Sequence, residues 1–251
     1  MTTLNIYAAG SLRIAFPALA ELFKQSFSTE IHIKFGPAGL LCEKLLQKTP
    51  DDNIHLFASA NTLHPKTLID HRKAISDYVF AHNRLCVTVR NESKWTSSDI
   101  IKLLLNPETR IGMSTPQKDP SGDYTFQLFD NIGTCYAGMG EQLKHRAKQL
   151  VGGSLESHIP KAMHPAEFFL LNNTVDAYIG YANYAQTILQ NPKLAIINLP
   201  AKFNPAIDYS IALLKPAHKM AKLFIGFLLS EKGQNCLMAN GFSKITNIKT
   251  N

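Results

Sequence analysis

The first seventy residues alternate short apolar runs with longer helical patterns, and this alternation constrains the fold more than any other feature. Apolar runs at Leu4–Ala8, Ile31–Phe35 and Ile54–Ala58 have the length of strands. After the first run, apolar residues recur every three or four positions from Leu12 to Phe27, which is typical of a helix with one buried face. This order of strands and helices predicts an α/β fold with a parallel, doubly wound sheet.

The rest of the chain continues this alternation, and no flexible linker interrupts it. Its strand candidates are Leu85–Val89, Arg110–Met113, Ala177–Tyr181, Ala195–Asn198 and Tyr209–Leu214. With 251 residues, the pattern predicts two α/β lobes, each a mostly parallel sheet flanked by helices, with a ligand cleft between the lobes. We expect lobe one to combine residues 1–83 with 207–251, and lobe two to be residues 84–206.

The formal net charge of +7 raises the question of an anionic partner. Nucleic-acid-binding proteins usually concentrate positive charge in one patch, whereas the basic residues here are scattered. The densest group, Lys144, Arg146 and Lys148, is expected on the solvated face of a helix over Gly140–Leu150. We therefore expect no nucleic-acid partner, and an anionic ligand must be argued from a defined site.

No apolar run approaches the ~18 residues of a membrane span, which predicts a soluble protein. No leader precedes the first strand, so the sequence predicts either a cytoplasmic protein or one whose targeting peptide has been removed. The four cysteines, Cys42, Cys86, Cys135 and Cys236, lack the CxxC spacing of zinc or redox sites. Buried free thiols are expected, and disulfides remain an alternative.

Three junctions between a strand and a helix in the first half are rich in small residues and hydroxyls. They contain Gly10 with Ser11, Ala38 with Gly39, and Ser59 with Ala60. Ligands of open parallel sheets bind beyond the carboxyl ends of the strands, where these turns are expected. Small residues let backbone N–H groups approach a ligand, and helix N-termini favour negative charge. The sequence therefore indicates an anion site built without a cationic side chain, although tight turns also need small residues for structural reasons.

Two segments of the second half have similar chemistry. Ser114–Tyr124 follows a strand, carries hydroxyls and two prolines, and opens a helix near Ser121. Tyr181 ends a strand and can donate its phenolic O–H to an anion. Tyrosines in this region could instead ligate ferric iron, which would require His or carboxylate partners.

An enzyme is the competing class of function. Ser11 or Ser121 could form a hydrolytic set with His164 and Asp123, but the sequence has no GxSxG elbow. It also has no GxGxxG or GxxxxGK[ST] motif for nucleotide phosphates. We therefore expect a binding protein without catalytic residues.

At these residues the chain resembles the molybdate-binding proteins of bacterial ABC importers, which are periplasmic type II solute-binding proteins. The matching motifs are Ala8–Leu12, Gly36–Leu41, Phe57–Ala60, Ser114–Tyr124, Tyr181 and the closing Gly241-Phe242. The resemblance covers essentially the whole chain, and its most specific piece is Ser114–Tyr124. It implies a monomeric periplasmic protein without a cofactor, which binds molybdate or tungstate between its lobes and presents it to a membrane permease.

The resemblance also implies a set of ligand-binding residues, which we expect to include Gly10, Ser11, Ala38, Gly39, Ser59, Ala60, Ser121, Met163 and Tyr181. Ser11 would offer its hydroxyl and N–H, Ala60 its N–H and Tyr181 its phenol, while Met163 is placed by spacing. The sequence departs from the family pattern at three positions: Ala38 stands where the family usually has a serine, and Asn61 and His55 stand where it commonly has an aspartate. A ferric-iron or other-anion binding protein, and a cytoplasmic oxyanion-sensing module, remain alternatives.

Overall fold

The structure is a computed structural model that describes residues 2–47, 53–96, 99–152, 159–160 and 163–245. Its strands are β1 (Thr2–Ala9), β2 (Thr29–Gly36), β3 (Leu56–Ser59), β4 (Ala74–Asn83), β5 (Leu85–Arg90), β6 (Ile111–Ser114), β7 (Lys148–Val151), β8 (Ala177–Tyr181), β9 (Leu194–Asn198) and β10 (Ile207–Leu214). Its helices are α1 (Ala15–Lys24), α2 (Ala38–Gln47), α3 (Leu63–Asp70), α4 (Ser93–Thr96), α5 (Ile100–Leu105), α6 (Pro120–Gly133), α7 (Met139–Arg146), α8 (Pro165–Leu171), α9 (Ala185–Ile188), α10 (Lys219–Leu229) and α11 (Glu231–Ala239).

The chain forms two compact units. Unit 1 consists of Met1–Asn83 with Ile207–Asn251, and unit 2 of Arg84–Ala206. Among the described residues, none of the helices combines the length and apolar character needed to cross a membrane.

Unit 1 contains a five-stranded sheet in the order β2-β1-β3-β10-β4. β1 pairs in parallel with β2 and β3, while β10 is antiparallel to β3 and β4. Four strands therefore share one direction and β10 is reversed. The core packs aromatic rings edge to face, with Phe23 and Phe224 at 5.3 Å between centroids and Phe16 and Phe224 at 6.2 Å.

Unit 2 repeats this plan with the strand order β7-β6-β8-β5-β9. β6 is parallel to β7 and β8, and the reversed strand is β5, which is antiparallel to β8 and β9. One of its apolar clusters joins α8, β8, α9 and β9 through Ala166, Phe169, Tyr178, Ile188 and Leu194. The carboxyl ends of β6 and β8 lie at one edge of this sheet, as those of β1, β2 and β3 do in unit 1.

Two elements differ from the sequence-based expectation. β4, a ten-residue strand, was not predicted, because its residues Ala74–Asn83 mix polar and apolar types without a clear alternation. The helix expected over Gly140–Leu150 is α7, which ends at Arg146, and the chain then forms the edge strand β7. Pairing with β6 stabilises β7, which is a tertiary contact that local periodicity does not contain.

The basic cluster at the end of α7 is not the solvated helix face that we expected. The Arg146 guanidinium donates hydrogen bonds to the carbonyl groups of Asn106 at 2.9 Å and Thr109 at 2.8 Å. It also donates to the Leu104 carbonyl at the end of α5. Lys148 lies on β7 and donates to the Thr174 carbonyl at 3.2 Å. Arg146 therefore satisfies carbonyl groups at the end of a helix, where a cation is favourable.

All four cysteines are free thiols. Cys42 and Cys86 are buried, as expected, and burial raises the pKa of the Cys42 thiol to about 11. Cys236 is half-buried, and Cys135 is exposed, contrary to the expectation of burial. Cys135 follows the end of α6 in the chain, where its neighbours Thr134, Tyr136 and Ala137 are exposed as well.

Candidate functional site

Strand register brings the three small-residue turns of unit 1 to one edge of its sheet. Ala9 of β1 pairs with Gly36 of β2, and Ala8 pairs with Ala58 of β3. The residues that follow these strands therefore leave the sheet at the same level. We call this region, with Gly10, Ser11, Ala38, Gly39, Ser59 and Ala60, the unit 1 edge.

Ser11 is held in place by a buried hydrogen-bonded chain. It lies in a short 3-10 turn over Gly10–Leu12 and is buried. The Tyr209 phenol, which is fully buried on β10, donates to Ser11 Oγ at 2.9 Å. Asn83 Nδ2 in turn donates to Tyr209 Oη at 3.3 Å. The bond from Tyr209 therefore fixes the orientation of the Ser11 hydroxyl at the unit 1 edge.

Tyr209 was not identified from the sequence as a residue of this region. It lies 198 positions from Ser11 along the chain, and only its place on a predicted strand was visible. Since β10 runs antiparallel to β3, it crosses the sheet beside the unit 1 edge. The contact thus depends on the return of the chain to unit 1.

The second turn brings backbone rather than side-chain groups to the unit 1 edge. Ala38 and Gly39 open α2, and both are buried. A Cβ atom on Gly10 would lie 3.9 Å from the Gly36 carbonyl oxygen, so the first two turns are in close contact. The methyl group of Ala38 cannot form a hydrogen bond, and a ligand here would meet N–H groups at the start of a ten-residue helix.

The third turn uses the Ser59 hydroxyl for its own structure. Ser59 is fully buried and donates to Asn61 Oδ1 at 3.0 Å, and Ser59 Oγ also lies 3.3 Å from His64 Nδ1. Asn61 Oδ1 accepts the backbone N–H of His64 at 3.1 Å. Burial lowers the pKa of His64. Ser59 thus acts within the turn around Ala60, and Ala60 contributes only its backbone.

In unit 2, the turn between β6 and α6 is built by a close backbone approach. A Cβ atom on Gly122 would lie 2.5 Å from Pro116 N and 2.7 Å from the Ser114 carbonyl oxygen, so only glycine fits there. Asp119 caps α6 by accepting the N–H of Ser121 at 3.0 Å. Ser121 is therefore fixed at the start of a fourteen-residue helix, at the carboxyl end of β6.

Asp119 gives this turn a titratable group. Removal from water raises its pKa to about 6, although the Ser121 N–H and the Ser114 hydroxyl, which both bond to the carboxylate, act in the opposite direction. A Cβ atom on Gly152, which has a φ of 80°, would lie 2.7 Å from the Asp119 Cβ. Asp119 thus carries a charge that depends on pH near neutrality.

The Met163–His164 segment adjoins the same turn through two tyrosines. Centroid distances from the His164 ring are 4.6 Å to Tyr184 and 6.5 Å to Tyr178. The Tyr178 phenol is buried, shares a hydrogen bond with Ser114, and has its pKa raised by burial. The Met163 N–H donates to the Pro160 carbonyl at 2.9 Å, so this proposed donor already has a protein acceptor.

Tyr181 ends β8 at the carboxyl edge of the unit 2 sheet, and its side chain is buried. We call the region with Ser121, Met163, His164, Tyr178 and Tyr181 the unit 2 edge. The structure thus distributes the nine residues expected to bind the ligand over the carboxyl edges of both sheets.

These residues give little support to the two alternatives, a hydrolytic set and a ferric-iron site. Asp123 Oδ1 accepts the Gln117 N–H at 2.8 Å, and His164 Nδ1 accepts the Ala166 N–H at 3.2 Å. Both members of the imagined hydrolytic set therefore have structural partners. Across the part of the chain that the structure describes, no three or more His, Cys, Asp or Glu side chains are grouped to hold a metal ion.

Comparison with known proteins identifies a matching protein family and several relatives. The profile of the bacterial extracellular solute-binding proteins matches residues 4–243. The uncharacterized protein PM1146 of Pasteurella multocida is 35% identical over 95% of this chain and 98% of its own length. The molybdate/tungstate-binding protein WtpA of Pyrococcus abyssi is 23% identical over 94% of this chain and 83% of its own.

Solved structures show the same fold at low sequence identity. The periplasmic molybdate-binding protein of Azotobacter vinelandii superposes with a TM-score of 0.75 at 17% identity, covering 97% of this chain and all of the other. The sulfate-binding protein SubI of Mycobacterium tuberculosis gives 0.80 at 15% identity, covering 98% and 88%. The predicted α/β class of type II periplasmic binding proteins is confirmed.

The matching family is defined by the binding of solutes. The family profile covers almost the whole chain, and PM1146 is related over almost its entire length. This chain therefore belongs to the family of bacterial extracellular solute-binding proteins.

Proposed function

We propose that the solute is a tetrahedral oxyanion, molybdate or tungstate, which the protein captures in the periplasm and delivers to the permease of an ABC importer. The observation that carries this proposal is the unit 1 edge, where β1, β2 and β3 end together in three turns of small residues. Ser11, held by Tyr209, adds an oriented hydroxyl to the backbone groups of these turns. The protein needs no resident cofactor for this function.

The chemistry of the unit 1 edge suits a fully deprotonated anion. Its side-chain donor is a hydroxyl, and its other groups are backbone N–H groups near the start of α2 and of the turn at Gly10–Leu12. Such donors stabilise negative charge without a counter-cation. In a protonated anion, one O–H group would face a protein donor instead of accepting from it, and one hydrogen bond would be lost.

Relatives support molybdate or tungstate as the ligand. WtpA of Pyrococcus abyssi carries both anions in its name, and the Azotobacter vinelandii protein binds molybdate. The likeness to SubI makes sulfate the competitor. We propose that Ser121 and Tyr181 are further oxyanion donors, and that the larger size of molybdate and tungstate separates them from sulfate.

Titration calorimetry against molybdate, tungstate, sulfate, phosphate and Fe(III) tests this function. We expect micromolar or tighter binding of molybdate or tungstate, with a thermal shift. Ser11→Ala removes an oriented hydroxyl and should weaken binding about 10- to 100-fold. Ser243→Ala, at an exposed serine, is the matched control and should bind like the parent protein.

Three results would contradict the proposal. Binding of Fe(III) alone, with a visible tyrosinate band, would favour the ferric alternative. Preference for sulfate or phosphate would keep the unit 1 edge but change the solute. Unchanged affinity in Ser11→Ala would show that the ligand lies elsewhere.

A further inference from the structure

Tyr209, which bonds to Ser11, is itself held in place by a ring on the neighbouring strand. Phe80 of β4 packs edge to face against Tyr209, with 6.1 Å between the ring centroids. β4 has a bulge at this level, because Tyr209 pairs with Ala81 while the next residue of β10 pairs with Val79. Bulges of this kind redirect a side chain, and they are common beside binding sites. Phe80 is the extra residue of the bulge, and its ring restricts the Tyr209 ring.

A second ring on Tyr209 comes from the turn that follows α11. Phe242 packs edge to face against Tyr209, with 5.2 Å between centroids and 81° between the ring planes. Phe242 is only 4% exposed, although both of its neighbours in the chain are exposed. The turn therefore inserts one aromatic side chain into the core of unit 1, directly beside the residue that bonds to Ser11.

The turn that carries Phe242 has the hydrogen bonds of a Schellman motif. Gly241 has a φ of 83°, in the left-handed region that favours glycine. Its N–H donates to the Met238 carbonyl at 3.0 Å, and the Phe242 N–H donates to the Leu237 carbonyl at 3.2 Å. This motif fixes the direction in which the chain leaves α11. The position of the Phe242 ring is therefore set by the end of that helix.

Gln234 connects α11 to the bulge of β4. Its side chain is fully buried, and Nε2 donates to the Phe80 carbonyl at 2.9 Å. Its Oε1 accepts the N–H of Ile245, just beyond the turn, at 3.3 Å. A buried amide that is bonded on both sides holds its partners at fixed positions. α11, the chain that follows it and β4 are thus connected around the Tyr209 ring.

We propose that Tyr209 and Phe242 are positioning residues for the oxyanion: Phe242 fixes the Tyr209 ring, and Tyr209 fixes the Ser11 hydroxyl for the ligand. This inference rests on the proposed function and deepens it. Each of the two residues acts through the next one rather than by touching the solute. Because the hydroxyl is held before the ligand arrives, binding costs less conformational freedom.

Two variants test the two links separately. Tyr209→Phe removes the phenol oxygen and keeps the ring, whereas Phe242→Leu removes the ring and keeps an apolar side chain. We expect the Kd for tungstate, measured by titration calorimetry, to rise about 5- to 10-fold in Tyr209→Phe and about 3- to 10-fold in Phe242→Leu. Phe23→Leu is the matched control, since this fully buried ring packs on Phe224 at 5.3 Å. It should lower the melting temperature and bind tungstate like the parent protein.

A double-mutant cycle separates positioning from a general loss of structure. If Phe242 acts through Ser11, Phe242→Leu should weaken binding in the parent protein but change the Kd less than about 2-fold in the Ser11→Ala background. A purely structural effect would weaken binding equally in both backgrounds. Melting curves show whether each variant folds, and Phe242→Met, a flexible replacement of similar volume, makes the same test if Phe242→Leu does not fold.

The outcomes distinguish the inference from the proposed function. If Ser11→Ala binds tungstate more weakly but Tyr209→Phe or Phe242→Leu binds it like the parent protein, the inference is overturned and the proposed function stands. Equal losses on Phe242→Leu with and without the Ser11 hydroxyl would overturn the inference in the same way. A parent protein that binds none of the oxyanions, or unchanged affinity in Ser11→Ala, would overturn both.

Discussion

Units 1 and 2 have the same strand plan, but the carboxyl edges of their sheets differ in chemistry. Both sheets have four strands in one direction and one reversed strand, β10 in unit 1 and β5 in unit 2. The unit 1 edge combines small residues with one hydroxyl held by Tyr209. The unit 2 edge adjoins Asp119, whose pKa is raised to about 6, and includes His164, whose pKa is lowered to about 4. The strand plan therefore determines where the turns of each unit lie. The sequences of the turns determine how the charge at each edge changes with pH.

The largest difference between the units should appear when a methyl group is added to a turn glycine in each, Gly122 in unit 2 and Gly10 in unit 1. In Gly122→Ala the new Cβ would lie 2.5 Å from Pro116 N, and a backbone neighbour cannot move aside cheaply. We expect a loss of about 3 kcal/mol in the free energy of unfolding, measured with urea. In Gly10→Ala the nearest atom is 3.9 Å away, so unit 1 should tolerate the change.

Gly226 on α10 is the control for these substitutions. A Cβ there would meet no atom within 4 Å, and Gly226→Ala should stabilise the helix by about 1 kcal/mol or less. Similar stability of Gly122→Ala and Gly10→Ala would contradict the close packing of the turn in unit 2.

The two units also differ in how much their ion pairs contribute to the free energy of unfolding. Burial alone would raise the pKa of Asp176 in unit 2, but hydrogen bonds from Arg110 and Arg90 outweigh it and hold that pKa well below its usual range. We expect Asp176→Asn to cost about 2–3 kcal/mol at pH 7, measured by urea unfolding. In unit 1, His82 and Asp208 pair near the surface, and Asp208→Asn should cost less than about 1 kcal/mol.

The sign of the pH dependence sharpens this prediction. A carboxyl whose pKa is lowered by folding stabilises the protein above its unfolded-state pKa, and this stability is lost as the pH falls toward the folded value. The difference between the parent protein and Asp176→Asn should therefore shrink below about pH 4. A difference that stays constant down to pH 2 would contradict the role of the two arginines.

The smallest expected effect concerns Asp119. Because folding raises its pKa, the protonated form is favoured, and the stability from this group is present below about pH 4 and lost as the pH rises to about 6. Asp119→Asn keeps an oxygen for the Ser121 N–H and should be more stable than the parent protein by about 1–2 kcal/mol at pH 7.5. Melting curves from pH 4 to 8 measure this, and a variant that is less stable at pH 7.5 would contradict it.

Local patterns were sufficient for most strands and helices, and for the turns at both edges. The runs at Leu4–Ala8 and Ile31–Phe35 lie within β1 and β2, since buried parallel strands are continuous apolar segments. The local patterns did not predict β4 and β7, because the stability of these strands comes from pairing with strands distant in the sequence. Arg146 was misassigned for the same reason: its carbonyl partners lie about forty residues away.

The sequence by itself determined the α/β class, the ends of β1, β2 and β3 to within one residue, and the end of β8 at Tyr181, because strand length, helical period and turn composition are local properties. Only the tertiary structure decided how those residues are used. It joined Tyr209 to Ser11, committed Ser59 to its own turn, and fixed the tautomer of His164 through α8. Packing alone brings Tyr209 to Ser11, 198 positions away. Ser59 and His164 each bond two residues along the chain, and the backbone geometry of their turns, which composition does not specify, decides those contacts.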